Sequence, residues 1–148
     1  MVRNRSLMEK KMENKKEIKS ALRLRRLVFE KISFERLGLD ESEHELKLKI
    51  ESRIAQKEGM DLYKVSLALK GNKLEEYLFE IILTGYFEIY GEQLEEVNKQ
   101  RLIDKNAIAI LMPYMRSQVS LLTAQPGMEC VVLPAFNINN MLDNAEHN

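Results

Sequence analysis

The chain is expected to fold as an α+β domain, an antiparallel sheet with C-terminal helices gathered on one face. Three observations lead to this. Segments of period-two hydrophobic alternation fill the stretch from Leu22 to Tyr90. Turn signals, Glu58-Gly59 and Gly71-Asn72, fall between them. Past Gly91 the apolar spacing changes to that of a helix.

The elements read in order as follows. From Ser6 to about Ser20 the chain is dense in Lys, Glu and Met, with Leu7, Met8, Met12 and Ile18 as its apolar residues, the pattern of a weak helix or a disordered arm. Between Leu22 and Phe34 the alternation shifts phase: Leu22 and Leu24, then Leu27 and Phe29, then Ile32 and Phe34. A one-residue shift swaps the face a side chain occupies, as a bulge does, so this strand is expected to offer apolar groups to both sides of the sheet. Gly38 to His44 is polar and acidic and reads as a connection. Leu46, Leu48, Ile50, Ser52 and Ile54 alternate with Lys47, Lys49, Glu51 and Arg53, a strand with one buried and one solvated face. Tyr63, Val65, Leu67 and Leu69 form a second such strand, which Gly71-Asn72 is expected to end in a tight reversal.

Glu75 to Tyr90 is apolar on both faces. Phe79, Ile81, Leu83, Phe87 and Ile89 lie on one, Leu78, Ile82, Tyr86 and Tyr90 on the other, so a helix is expected over one side and something else over the second. The helical stretch runs through Leu94, Val97 and Leu102 and then Ala107, Ile110, Leu111, Tyr114, Met115, Val119 and Leu122, with Pro126-Gly127 as its stop. Pro113 predicts a kink or a break within it. Val131 to Pro134 reads as extended, and Asn137 is placed to cap a short last helix from Ile138 to Leu142.

With 148 residues, 45% hydrophobic and 31% charged, the chain has room for one domain and the balance of a soluble globular protein. Its longest apolar runs fall far short of the roughly 20 residues a membrane-spanning helix needs. The first residues lack the apolar core and cleavage site of an export signal, so a cytoplasmic location is expected. Cys130 stands alone, which rules out an intramolecular disulfide and a cysteine-based zinc cluster. The net charge of zero hides an asymmetry. Ten Lys and Arg precede Leu27 against Glu9, Glu13 and Glu17, and the remainder is net acidic. Residues 1–19 are therefore set apart as a basic arm and 20–148 as the folded domain.

The inventory for catalysis is thin. His44 sits in a polar connection between Glu43 and Glu45, and His147 in the tail, so each reads as a solvated residue rather than a base. Cys130 borders an apolar run and reads as a half-buried small hydrophobe. No glycine-rich loop is arranged to cradle phosphate, and no histidine pair has ligand spacing, so neither nucleotide, metal nor other cofactor is expected, and no enzyme. The aromatics Tyr86, Phe87 and Tyr90 are flanked by Glu80 and Glu88, whose charge repels phosphate, so no nucleic-acid partner is expected. What remains is an excess of apolar surface. Two-faced strands outnumber the helical segments able to cover them, so part of the sheet is expected to pair with another copy or to hold a partner chain.

The stretch Leu111-Met112-Pro113-Tyr114-Met115-Arg116, with Ser117 to Thr123, Gly127 and then Leu133-Pro134-Ala135-Phe136-Asn137, resembles the C-terminal half of the SecB export chaperones. Met115 stands where that family has a small Ala. Ile32-Ser33-Phe34-Glu35 matches the end of the family's first strand, and the likeness covers roughly residues 20 to 142. It implies a four-stranded antiparallel sheet with two helices, assembled as a dimer of dimers, that holds unfolded polypeptides without ATP. Carried onto this chain, client binding falls to Leu22, Leu24, Leu27, Tyr77, Phe79 and Ile81, with Met141 and Leu142 of the last helix. Docking of the SecA motor falls to Glu35, Leu78 and Glu80. Lys31 departs from that acidic pattern and would meet a basic partner tail with like charge. Some SecB-like proteins instead serve as chaperones for antitoxins. A structural or adaptor protein of the same fold, using its apolar surface only to oligomerise, is the alternative.

Overall fold

The computed structural model describes residues 20–57, 61–91 and 95–135. The basic arm, the Asn137 cap and the last helix lie outside them. Four strands, β1 (Ser20–Arg36), β2 (Lys47–Gln56), β3 (Leu62–Lys73) and β4 (Tyr77–Gly91), form one antiparallel sheet in the order β1-β4-β3-β2. One helix, α1 (Glu96–Thr123), packs on β4, β1 and β3. The four-stranded sheet and the position of the helix agree with the expected α+β class.

Register explains the phase shifts of β1. The pairing with β4 slips between Leu24 and Arg26 and again between Phe29 and Lys31, so Arg25 and Glu30 are the extra residues. Direct partners in an antiparallel pair share a face. Leu22, Leu24, Leu27, Phe29, Ile32 and Phe34 stand opposite Ile89, Phe87, Gly85, Leu83, Ile81 and Phe79, all on the helix side. The expectation that β1 serves both faces is therefore corrected. Each bulge absorbs one shift, and the strand keeps a single apolar face over its 17 residues.

The helix side of the sheet is the core. Tyr63, Val65, Leu67 and Leu69 of β3 and Phe79, Ile81, Leu83, Phe87 and Ile89 of β4 are buried beneath α1. From the helix, Ile103, Ala107, Leu111, Met115 and Val119 recur every fourth residue along one stripe, with Ile108 and Met112 beside it. Gly85 lets this stripe approach, because a Cβ there would stand 2.7 Å from a Leu111 methyl. The helix runs unbroken through Pro113, so the expected break is absent. Buried Leu111, Met112 and Met115 hold both sides of the proline to the sheet, while the ring itself is exposed.

Gly71-Asn72 does not reverse the chain. β3 continues to Lys73, and the turn is made by Leu74 to Glu76, with Glu75 at φ 67 and Glu76 N–H donating to Lys73 O at 3.0 Å. Gly71 is there for close approach instead. It pairs with Phe79, and a Cβ would lie 2.3 Å from that ring. A short polar bolt fixes this turn to the acidic connection. The Glu76 carboxylate, 1% exposed, accepts from Lys73 Nζ and from Ser42 N–H, both at 2.8 Å, while its carbonyl accepts from Leu37 N–H. Burial by itself pushes the carboxyl pKa up. The ammonium and the N–H outweigh it and hold the group below its usual value of 4.5.

Glu76→Ala is expected to lower unfolding free energy in urea by about 2 to 4 kcal/mol, because it strands two donors. A carboxyl held low when folded stabilises fully above its unfolded pKa and ceases to as pH falls through the folded one. Stability of the native chain should therefore decline below about pH 4.5, and the isosteric Glu76→Gln should flatten that decline. Gly71→Ala is expected to cost about 1 to 3 kcal/mol by overpacking against Phe79, measured the same way.

Candidate functional site

The helix covers the middle of the apolar face and leaves margins. Along β1, Leu22, Leu24, Leu27, Phe29 and Phe34 are only partly buried against the core, and Ile32 is 45% exposed. Along β2, Leu46, Leu48 and Ile54 are likewise half-buried. At one end Phe34, Tyr77 and Phe79 stack in sequence, with ring centroids 5.4 and 6.2 Å apart.

The residues proposed from sequence to hold clients share this helix-side face, at different depths. Leu22, Leu24 and Leu27 line the open margin. Tyr77, Phe79 and Ile81 are 2%, 1% and 0% exposed in the single chain and form its floor. Burial raises the Tyr77 phenol pKa. Met141 and Leu142 lie outside the described residues.

A second apolar surface lies on the far side of the helix. After the turn at Gly127 (φ 79), residues 130–133 return along α1 as an extended strap. Polar side chains of the helix hold it. Thr123 Oγ1 accepts from Val131 N–H at 2.8 Å, Ser120 Oγ donates to Val131 O at 2.9 Å, and Arg116 Nε donates to Leu133 O at 3.0 Å. Leu133 turns into the core, whereas Val132 (74% exposed) and Leu121 (70%) face outward. They flank a groove of about 710 Å³ with Pro113, Ser117, Ala124 and Cys130. Sequence alone marked Val131 to Pro134 as extended but not that the helix holds it. Its signal was the polar series Arg116, Ser120 and Thr123, spaced by four and three on a helix that otherwise buries apolar groups.

The helix is pinned at both ends. Near its start Lys99 Nζ lies 2.7 Å from Asp61, whose hydrogen bond raises the Lys99 pKa. Beyond its end Arg36 donates to Gly38 O, Leu39 O and Gly127 O at 2.8, 3.2 and 3.2 Å, tying that turn to β1.

The opposite face of the sheet carries the proposed docking residues. Glu35 and Leu78 are direct cross-strand partners there, and Glu80 faces Ser33. Lys31 Nζ lies 3.3 Å from Glu80 and offsets its charge. Tyr86 and Tyr90 share the face, each beneath a guanidinium, Arg26 at 5.8 Å and Arg23 at 5.2 Å. Phe87 is on the other side, buried. No described element packs over this second face of β4. Among the described residues no group of three or more His, Cys, Asp or Glu is placed to hold a metal ion, and no helix is long and apolar enough to cross a membrane. His44, expected to be solvated, is half-exposed beside Glu75 at 3.5 Å.

The family sequence model described as Preprotein translocase subunit SecB matches residues 11–148. Among solved structures, the fold is similar to that of the Mycobacterium tuberculosis SecB-like chaperone Rv1957, determined in complex with a ChAD peptide from the Rv1956 HigA1 antitoxin. The TM-score is 0.64 at 12% identity, over 78% of this chain and 88% of that one. A protein of unknown function from Streptococcus agalactiae gives 0.46 at 11% identity, over 78% and 98% of the two chains. The uncharacterized protein MJ0357 of Methanocaldococcus jannaschii is 36% identical over 62 residues, which are 42% of this chain and 39% of that protein's length.

If Arg116, Ser120 and Thr123 hold the strap, Arg116→Ala combined with Ser120→Ala should speed amide hydrogen exchange in 130–135 by about tenfold or more. The thermal midpoint should move little, because the buried stripe of α1 is untouched.

Proposed function

The chain belongs to the SecB family, and from that membership we propose that it is an ATP-independent holdase, keeping unfolded polypeptides extended in apolar grooves. The observation that carries this reading is the margin along β1. A row of aliphatic and aromatic side chains, Leu22 through Phe34, is left half-covered by the helix and spaced for an extended chain. An extended client laid there would drop every second side chain onto apolar ground. At about 25 cal/mol per Å², burying a few hundred Å² contributes several kcal/mol before entropic losses. One such groove holds weakly. Several copies gripping one chain gain through effective concentration, which is the use of a dimer of dimers.

In this reading Leu22, Leu24 and Leu27 touch the client directly, and Tyr77, Phe79 and Ile81 give the groove its floor. Met141 and Leu142 are proposed as further client contacts. The work is binding, with no bond made or broken, and takes place in the cytoplasm. Handover to SecA through Glu35, Leu78 and Glu80 is disfavoured, because Lys31, 3.3 Å from Glu80, offsets its charge and meets a basic tail with like charge. A dedicated client is the preferred role.

The test is light scattering of a reduced, aggregating polypeptide without nucleotide. The native chain should suppress aggregation, and Leu24→Ser with Leu27→Ser should weaken this several-fold while the circular dichroism spectrum stays native. Full suppression by that variant would remove the β1 margin from the account. Absence of suppression by the native chain, with an oligomer that leaves ANS dark, would favour the adaptor that only self-associates.

A further inference from the structure

The open face of the sheet is divided by charge. On its β1–β4 half, Arg23, Arg25, Arg26 and Lys31 are matched by Glu30, Glu35, Glu80 and Glu88. Arg25 lies 3.6 Å from Glu88 and Lys31 3.3 Å from Glu80. Glu30 reaches across to Lys64 at 3.4 Å. The β2–β3 half is different. Register places Lys47, Lys49, Arg53, Lys64 and Lys70 on one surface with a single carboxylate, Glu51. All five cations are exposed.

Two details show that this is more than a solvated strand face. Lys49 and Lys70 are direct cross-strand partners, an arrangement of like charges that weakens a sheet. Glu51 is bound to Lys49 at 3.1 Å, and among the described residues no carboxylate lies within 4 Å of the charged group of Lys47, Arg53 or Lys70, although Glu80 of β4 stands across from Lys70 in the register. A hydrogen bond from Lys49 holds the Glu51 carboxyl below its usual pKa, and Lys70 and Arg53 add to the effect. On β2 and β3 themselves one anion thus stands among five cations, with Glu30 and Glu80 at the border with the other half.

We propose that the β2–β3 half of the open face docks an acidic, extended segment of a partner polypeptide. Carboxylates on alternate residues of such a segment recur about every 7 Å, which is the spacing from Lys47 to Lys49, and Lys64 and Lys70 extend the track over about 20 Å. The cations would attract a phosphate backbone as well, and it is the lack of stacking platforms that selects against single-stranded nucleic acid. No aromatic side chain shares the face on β2 or β3, and Tyr86 and Tyr90 of β4 already lie under Arg26 and Arg23. The site is on the opposite side of the sheet from the apolar margins, so it stands independently of the holdase reading.

The test is fluorescence anisotropy of a short labelled poly-glutamate peptide on the full chain, with poly-glutamine and oligothymidylate as comparisons. The peptide should bind, weaken steeply with salt, and exceed poly-glutamine by about tenfold or more. Lys49→Gln combined with Lys70→Gln should lower its affinity several-fold with an unchanged thermal midpoint or a higher one, because the like-charge pair is removed, and Lys49→Glu with Lys70→Glu should lower affinity by about tenfold or more while the circular dichroism spectrum stays native. Glu35→Gln, on the far edge, should leave it unaltered. Equal binding of poly-glutamine, indifference to the double variant, or oligothymidylate binding as tightly as the peptide would overturn the proposal. Aggregation suppression of a neutral substrate is measured in parallel. Loss of that suppression with poly-glutamate binding intact would remove the holdase reading alone. The reverse would remove the acidic docking site alone.

Discussion

A helix is narrower than the sheet it covers. At about 10 Å across, α1 spans roughly two strands of a sheet whose outer strands stand about 15 Å apart. Its buried stripe settles on the sheet's central region, where Leu111 meets Gly85 and the flanking residues of β3 and β4 are sealed. The edge strands are left with apolar side chains half in water. Most features of the molecule follow from that mismatch, including the exposure of the β1 row and of Leu48 and Ile54 on β2.

The two bulges give the mismatch its functional form. Without them, each phase shift of β1 would turn part of its apolar row to the opposite face, where Arg23, Arg26 and Lys31 now stand. With them the row is continuous, and Arg25 and Glu30 reach the far side to join the charges of Glu88 and Lys64. The apolar row of β1 therefore keeps to the helix side along the whole strand, and Arg23, Arg26, Lys31 and Glu35 to the other face, which β4 shares with Leu78, Ile82, Tyr86 and Tyr90. The pins at Lys99–Asp61 and Arg36–Gly127 fix how far the helix lies from each margin. The bolt at Glu76 fixes the hairpin between β3 and β4 on which Tyr77 and Phe79 are carried.

Much of this could be read from residues alone. Alternation located all four strands, and the spacing of Ala107, Leu111, Met115 and Val119 located the helix, because both patterns record burial directly. The phase shifts marked the bulges at Arg25 and Glu30, but a strand's own periodicity does not say whether its partner slips with it, so the shared face was missed. Gly71 was taken for a turn because its neighbour is Asn72. The reason for that glycine is the Phe79 ring, which a local motif cannot contain. Leu22, Leu24, Leu27, Tyr77, Phe79 and Ile81 lie on the helix side, and how deep each sits depends on where one helix lies, which no local pattern records. The cations of β2 were visible as a polar face, and only register revealed that Lys64 and Lys70 stand with them.

The central claim is that the helix-side margin along β1 is where the sheet holds another chain. Hydrogen–deuterium exchange of the native protein, with and without a reduced and permanently unfolded polypeptide, addresses it most directly. The account predicts new protection concentrated in β1 between Leu22 and Phe34, with β2 backbone amides little changed. Protection confined to β2 and β3, or none anywhere on saturating the protein, would contradict it.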